Sequence, residues 1–231
     1  MLARFTNKKV YIRVTSLPVL FGLKKFIVSQ SSLLRYNYYY TPTIISVYSP
    51  VGSTKHWICT SSIGCGRQYH VNVLDSLGYF MGPLNLATLL QIAKIYSVPI
   101  GERHLRVKKL SVQQQHGTSD CGLFALAFAT EICSGGDPQA ACFNQKKMRR
   151  HLSMCLTKGV MKPFPKGTSE PFPRPTERLS TYRVYCHCRL LEEFDHKMVE
   201  CTRCKSWYHV TCVGLCQKIP IHWKCDKCSN K

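Results

Sequence analysis

Between positions 186 and 228 eight Cys and His residues stand in four close pairs: Cys186-x-Cys188, Cys201-x-x-Cys204, His209-x-x-Cys212 and Cys225-x-x-Cys228. Thiolates and one imidazole in such pairs are what two tetrahedral zinc sites require, and a module this short lacks the apolar core to fold without them. The expected pairing is interleaved, with Cys186, Cys188, His209 and Cys212 on one Zn²⁺ and Cys201, Cys204, Cys225 and Cys228 on the other. A second chemical group runs in the order His56, Asp75, Gln115, Cys121. Cysteine catalysis needs an imidazole to take the thiol proton, a carboxylate to fix its tautomer and donors for a developing oxyanion. Cys121 stands where the polar stretch VQQQHGTSD gives way to the apolar run CGLFALAFATEIC. That places its thiol in the first turn of a helix, where unpaired N–H groups and the macrodipole favour a thiolate. The competing reading of Cys121 is a small buried hydrophobe, the commonest fate of a free cysteine.

The elements that must position these groups are legible as periodicities. TIISVYS, HWICTSS and QYHVNVLD read as three strands, separated by turn residues at Pro50-Val51-Gly52 and Gly64-Cys65-Gly66. His56 and Trp57 open the second run and Asp75 ends the third, so adjacent strands bring both side chains to one sheet edge. Asn85 caps a helix whose Leu86, Leu89, Leu90 and Ala93 recur with helical spacing. A further strand, about Leu105 to Val112, leads into the Cys121 loop. The Cys121 helix is apolar nearly all round and is expected at the centre of the core, with Gly135-Gly136 as its stop. Gln115 lies far enough before Cys121 for its amide to curl back beside the Cys121 N–H. A second helix, about Gln145 to Thr157 with Asn144 as its cap, gathers Met148, Leu152 and Cys155 or Leu156 on one face. Its Lys146, Lys147, Arg149 and Arg150 are read as a solvated face.

With 45% hydrophobic residues, 231 residues suffice for one sizeable core and one small satellite module. Composition divides the chain into a basic and aromatic segment (1–40), a catalytic-type domain (41–159), a linker with five prolines (160–181) and the metal-binding module (182–231). The formal charge is +20, and before Asp75 there are nine Lys or Arg residues and no acid. Such a field favours nucleic acid, acidic proteins or anionic surfaces. The interleaved Lys/Arg and Tyr of residues 1–40 suit single-stranded nucleic acid, a buried sheet edge or a degenerate remnant. Of fourteen cysteines, seven fall into the metal-ligand spacing, which implies a reducing compartment. No stretch has the length of a membrane span, so no membrane partner is expected.

The set His56-Trp57, Asp75-Ser76 and Gln115 followed by Asp120-Cys121-Gly122 resembles the ubiquitin-like-protein-specific cysteine proteases, which include the SUMO-specific and adenoviral-type enzymes. The likeness covers about Thr41 to Gly159. It implies an α+β, papain-like core, a small sheet with a central buried helix. By resemblance, His56 is the general base, Asp75 its orienter, Cys121 the nucleophile and Gln115 the oxyanion-hole side chain. Trp57 flanks a narrow tunnel that admits a Gly-Gly tail. No Trp-Leu-Asn/Asp-Asp type motif lies between Met1 and Lys55, so the domain resembles an N-terminally shortened one. Joined to a C-terminal zinc finger, such a domain also resembles mobile-element-derived coding regions.

With His209 as fifth ligand and Trp223 two residues before the seventh, the metal module resembles a small cross-braced PHD finger. YCHCR and CTRCKSWYHVTCVG are similar to its methyl-lysine-reading subset. That likeness implies an aromatic cage of Tyr185 and Trp207, with Met198 as a third side, around a trimethylated lysine of the histone H3 tail. Glu192 stands where the resemblance implies another aromatic. The expected function is a zinc-binding PHD-finger protein with a cysteine protease domain, a deSUMOylase-like isopeptidase acting on ubiquitin-like conjugates at chromatin in the nucleus. One alternative is a catalytically inactive protease-like scaffold whose finger reads histone tails. Another is a basic, nucleic-acid-associated mobile-element protein, and a cytoplasmic location is the alternative to a nuclear one.

Overall fold

The computed structural model describes residues 10–15, 27–28, 44–48, 56–62, 70–77, 84–96, 98, 102–168, 170, 172–192, 197–215 and 219–229. The cluster Tyr36, Tyr38, Tyr39 and Tyr40 lies outside them. The fold is mixed α+β and divides into two compact units, residues 1–83 with 107–180 and residues 84–106 with 181–231.

Strands β1 (Val10–Thr15), β2 (Ile27–Val28), β3 (Ile44–Tyr48), β4 (Ile58–Ser61), β5 (Val71–Leu74), β6 (His104–Lys109) and β7 (Arg178–Arg183) form a sheet in the order β2-β1-β3-β4-β5-β6-β7. β3, β4 and β5 pair antiparallel, and β5 and β6 pair parallel through Val71–Val73 and Val107–Lys109. Every residue of β4 and β5 is buried, because the short sequences ICTS and VNVL sit centrally and are covered on both faces. Polar Thr60, Ser61 and Asn72 are tolerated there because each has a hydrogen-bonding or electrostatic partner.

Helix α2 (Cys121–Cys133) follows α1 (Leu86–Tyr96) in the chain and supplies the core of the first unit. Small alanines at 125, 127 and 129 let it lie close to its neighbours, while Phe124 and Phe128 fill the space with Phe143, at centroid separations of 5.9, 6.4 and 6.0 Å. Tilted and edge-on contacts at such distances add to the area buried. The helix ends at Cys133, two residues before the expected glycine stop. Gly135 N donates to Ile132 O and Gly136 N to Glu131 O, and Gly135 takes φ +78°, a Schellman closure that requires a residue free of Cβ strain. Helix α3 (Gln145–Lys158) buries Met148 and Cys155, leaves Leu156 exposed, and begins at Asn144 without the side-chain cap bond expected there.

Residues 160–181 are not the free spacer expected from five prolines. Phe164 is in the core, Phe143 bridges to Lys166, Asn144 N donates to Pro165 O and Gly167 N donates to Cys142 O. Arg174 pairs with Glu170 and also donates to the Gln139 and Ala141 carbonyls. Prolines forbid a ladder only where an N–H is needed, and carbonyl acceptance with side-chain bonds holds this segment instead.

The second unit contains α1 (Leu86–Tyr96), strands β8 (Met198–Glu200) and β9 (Trp207–His209), a 3₁₀ turn at Thr211–Val213 and α4 (Asp226–Ser229). Asn85 caps α1 as expected, its Oδ1 accepting from Thr88 N at 2.8 Å. This unit groups residues 84–106 with 181–231, because Val184 N donates to Arg103 O and Arg189 Nε donates to Val98 O.

Candidate functional site

The antiparallel register of β4 and β5 pairs Cys59 with Leu74 and Thr60 with Val73. Extended by one step, Asp75 falls opposite Ile58, and His56, two residues earlier, shares the Ile58 face. His56 and Asp75 are therefore diagonal neighbours at one end of the pair. His56 Nε2 and Asp75 Oδ1 are 2.8 Å apart, and both residues are buried. Leu77 N also donates to Asp75 Oδ1, which fixes the carboxylate.

His56 Nδ1 is buried without an oxygen or nitrogen partner, and the ring's remaining interaction is with the Cys121 thiol. Burial favours neutral forms of both groups, yet partner interactions outweigh it. His56 is lowered by burial but raised further by Asp75 and then by Cys121, reaching about 9. Cys121 is raised by burial but lowered more by the His56 ring, the Trp57 and Gly122 backbone and the His56 charge, so its thiol lies below the ordinary value. The pair favours thiolate facing imidazolium. A glycine follows Cys121 where Trp57 comes close: a Cβ at Gly122 would stand 3.7 Å from the indole.

The loop that precedes Cys121 is held along the end of β5. Leu110 N donates to Val73 O and Gln115 N donates to Ser76 O. Gln115 is buried beside this edge, but its amide does not turn back toward the Cys121 N–H as expected. Its Oε1 accepts from Ser76 Oγ at 2.7 Å and its Nε2 donates to Gly117 O at 2.8 Å, because a buried amide takes the nearest backbone acceptor. Sequence reasoning passed over Gln113 and Gln114. Gln113 exchanges two hydrogen bonds with the Phe143 backbone, and Gln114 donates to Asp75 O and Val112 O. Their signal was an uninterrupted run of three polar amides, 113–115, between the strand that ends at Lys109 and the apolar helix that begins at Cys121. Gln145 and Arg149 of α3 bind Asp120, the residue preceding Cys121.

The metal ligands assemble in the interleaved pairing expected. Cys186, Cys188, His209 and Cys212 form one group and Cys201, Cys204, Cys225 and Cys228 the other, with ligand atoms of each group within 4.8 Å of one another. The donors fit zinc. A tetrahedral site with Zn–S near 2.3 Å has S–S edges of roughly 3.8 Å, and Cys204 Sγ and Cys225 Sγ are 3.8 Å apart. His209 Nε2 lies 3.2 Å from Leu191 O, which leaves Nδ1, 3.2 Å from Cys188 Sγ, as the ligand nitrogen. A backbone carbonyl on the far nitrogen is the usual means of setting a ligand tautomer. Two distinct Cys/His clusters can thus hold two Zn²⁺ ions.

Beside these ligands, β8 and β9 pair Met198 with His209 and Glu200 with Trp207. Met198 and Trp207 are diagonal on one face of the ribbon, and Trp207 is 42% exposed. Cys186 N donates to Trp207 O, which brings the Tyr185 segment alongside. The Arg183 guanidinium lies 5.4 Å from the Tyr185 ring centroid. Trp223 packs edge-on to Tyr208 at 5.2 Å, and the exposed Glu192 carries no aromatic face.

No protein-family model matches the chain. Over 74 residues, 31% of this chain and 7% of its own length, the Polycomb protein Pcl of Drosophila melanogaster is 28% identical. The chromatin remodeling protein EBS of Arabidopsis thaliana is 42% identical over 50 residues, 20% of this chain and 21% of its own. The lysine-specific demethylase phf2 of Danio rerio is 46% identical over 37 residues, 16% of this chain and 4% of its own. The chain thus spans no more than 21% of the length of these relatives. The double zinc-binding module is PHD-like in its cross-brace, and the chain is similar to chromatin proteins. Among the described residues, no helix is long and apolar enough to cross a membrane.

Proposed function

We propose that this chain is a nuclear, zinc-binding chromatin protein whose PHD-type finger, residues 182–231, reads a methylated lysine of the histone H3 tail. The carrying observation is Trp207, an indole 42% exposed two residues before the ligand His209, on the same ribbon face as Met198. A large exposed aromatic that a zinc-site cover would bury is suited to a quaternary ammonium through cation–π attraction. Tyr185 supplies the second wall, its ring already facing a cation in Arg183. The two zinc ions, when bound, supply fixed crosslinks between the ligand pairs, and the chain's own residues do the recognition. Calorimetric titration of the zinc-loaded chain with H3 peptides carrying unmodified, mono-, di- or trimethylated lysine tests this reading. Methylation-dependent binding lost in Trp207→Ala supports it, and equal binding of all peptides refutes it.

A second reading is favoured by the buried His56–Asp75 contact at 2.8 Å and the low thiol at the start of α2. In it, residues 41–159 form a papain-like cysteine peptidase for ubiquitin-like conjugates. Cys121 Sγ attacks the scissile carbonyl, His56 Nδ1 takes and returns the proton, and Asp75 holds Nε2. The Cys121 N–H and a reoriented Gln115 amide hold the oxyanion, and Trp57 flanks the entering Gly-Gly tail. If the site does not turn over, the same residues form the inactive scaffold for the finger. Intact-mass detection of a covalent adduct with ubiquitin or SUMO bearing a C-terminal electrophile separates the two. An adduct lost in Cys121→Ala supports the peptidase, and none on a folded, zinc-loaded chain leaves the scaffold.

A further inference from the structure

Helix α3 carries five cations and no carboxylate in QKKMRRHLSMCLTK. Four of them, Lys146, Lys147, Arg149 and Arg150, fall in its first two turns, and all four are exposed. At 100° per residue these four span an arc of about 160°. The buried Met148 and Cys155 lie on the opposite face, so the cations point outward as a set.

This arrangement opposes the helix's own stability. The N-terminal end is the positive end of the macrodipole and prefers acids. Here the first turn has none, and Asn144 makes no side-chain cap bond. Lys146 faces Arg149 and Arg150, and Lys147 faces Arg150, at spacings where like charges repel. Arg149 is relieved by Asp120, whereas Lys146, Lys147 and Arg150 enter no ion pair among the described residues. A merely solvated face would be as soluble with mixed signs, so the uniform sign calls for an external polyanion.

The partner's chemistry follows from what lies between the cations. No exposed aromatic or aliphatic residue stands among the four cations in the first two turns, the helix's exposed apolar residues, Met154 and Leu156, lie in its C-terminal half, and Met148 and Cys155 are committed to the core. An interfacial membrane helix needs an apolar stripe free beside its cations, and an acidic peptide motif is usually held by apolar pockets as well as charge. Evenly repeated phosphates need neither, since contacts to the backbone fix position without reading sequence. We propose that Lys146, Lys147, Arg149 and Arg150 form a docking surface for the phosphate backbone of duplex DNA, without base preference and independent of the zinc finger.

The test uses the full zinc-loaded chain and a fluorescent mixed-sequence duplex of about 30 base pairs, read by anisotropy between about 50 and about 200 mM salt. The K146Q/K147Q/R150Q variant spares Arg149 and its bond to Asp120. It is expected to weaken binding at least tenfold at low salt and to reduce the log–log salt slope by about 2.7, three contacts at about 0.9 each. K94Q/K205Q/K224Q, at exposed lysines elsewhere, is the charge-matched control and is expected to change either quantity little. Because repulsion is removed, the α3 variant is expected to melt no lower than the parent. Should it fail to fold, the three single variants, each expected to lower the slope by about 0.9, give the same readout. Unchanged affinity and slope, an equal effect of the control, or binding to anionic lipid vesicles in place of duplex would overturn the proposal.

Discussion

His56 and Asp75 lie 19 residues apart in the chain, and their side chains meet at 2.8 Å because the β4–β5 register makes them diagonal neighbours on one face. A one-residue slip would send the two side chains to opposite faces. The contact therefore reports strand register as well as site chemistry.

Cys121 is expected to alkylate as a thiolate at lower pH than an ordinary thiol, because the His56 ring and the Trp57 and Gly122 backbone outweigh the effect of burial. Iodoacetamide rates at Cys121, followed by peptide mass across pH, check this. In His56→Ala the apparent thiol pKa should rise, and each unit of rise means roughly a tenfold lower thiolate fraction near neutrality. A profile that does not move would show that the ring does not hold the thiolate.

The same pair makes stability depend on pH with a definite sign. His56 rises from 6.5 to about 9 in the folded chain, burial opposing the rise and Asp75 chiefly causing it. Its stabilisation is fully present below about pH 6.5 and disappears as pH rises through about 9. The melting difference between the parent and Asp75→Asn should thus be largest near pH 6 and shrink through pH 9.

Native mass spectrometry should show two zinc ions on the intact chain. Cys201→Ser and Cys188→Ser should each leave one, since the two residues belong to different clusters. Chelation should abolish the β8–β9 pairing, seen as loss of dispersed amide resonances from residues 198–209, because a module of this size has little core beyond its ligands.

Phe128→Ala is expected to cost about 3–5 kcal/mol, the usual range for emptying a buried aromatic site. Phe128 is fully buried against Phe124 and Phe143, which cannot both collapse into the space. Denaturant titration followed by far-UV circular dichroism measures it, and a cost under about 1 kcal/mol would mean that α2 is not the core element.

Asn85→Ala should lower stability by about 1 kcal/mol through loss of one N-terminal hydrogen bond to Thr88 N. Asn85→Asp should retain it. The contrast, read from thermal melts of the two variants, isolates the cap from any change in side-chain volume.

Residue spacing alone determined the metal chemistry. Ligand pairs one or two residues apart meet wherever the chain folds, and zinc geometry leaves few ways to combine four pairs. The apolar pattern also determined the central helix, because CGLFALAFATEIC is apolar nearly all round and is stable only when most of it is buried. The Asn85 cap was legible for the same reason: its partner is three residues away.

What only the tertiary structure decided depended on contacts between distant residues. The direction of the Gln115 amide is set by competition between Ser76 Oγ, Gly117 O and the helix start, which no spacing encodes. The roles of Gln113 and Gln114 needed Phe143 and Asp75 in place. Composition read residues 160–181 as a spacer, yet Phe164 and Arg174 tie them down through partners near positions 139–148. Local rules report what a segment does with its own hydrogen bonds, and these residues satisfy theirs at long range.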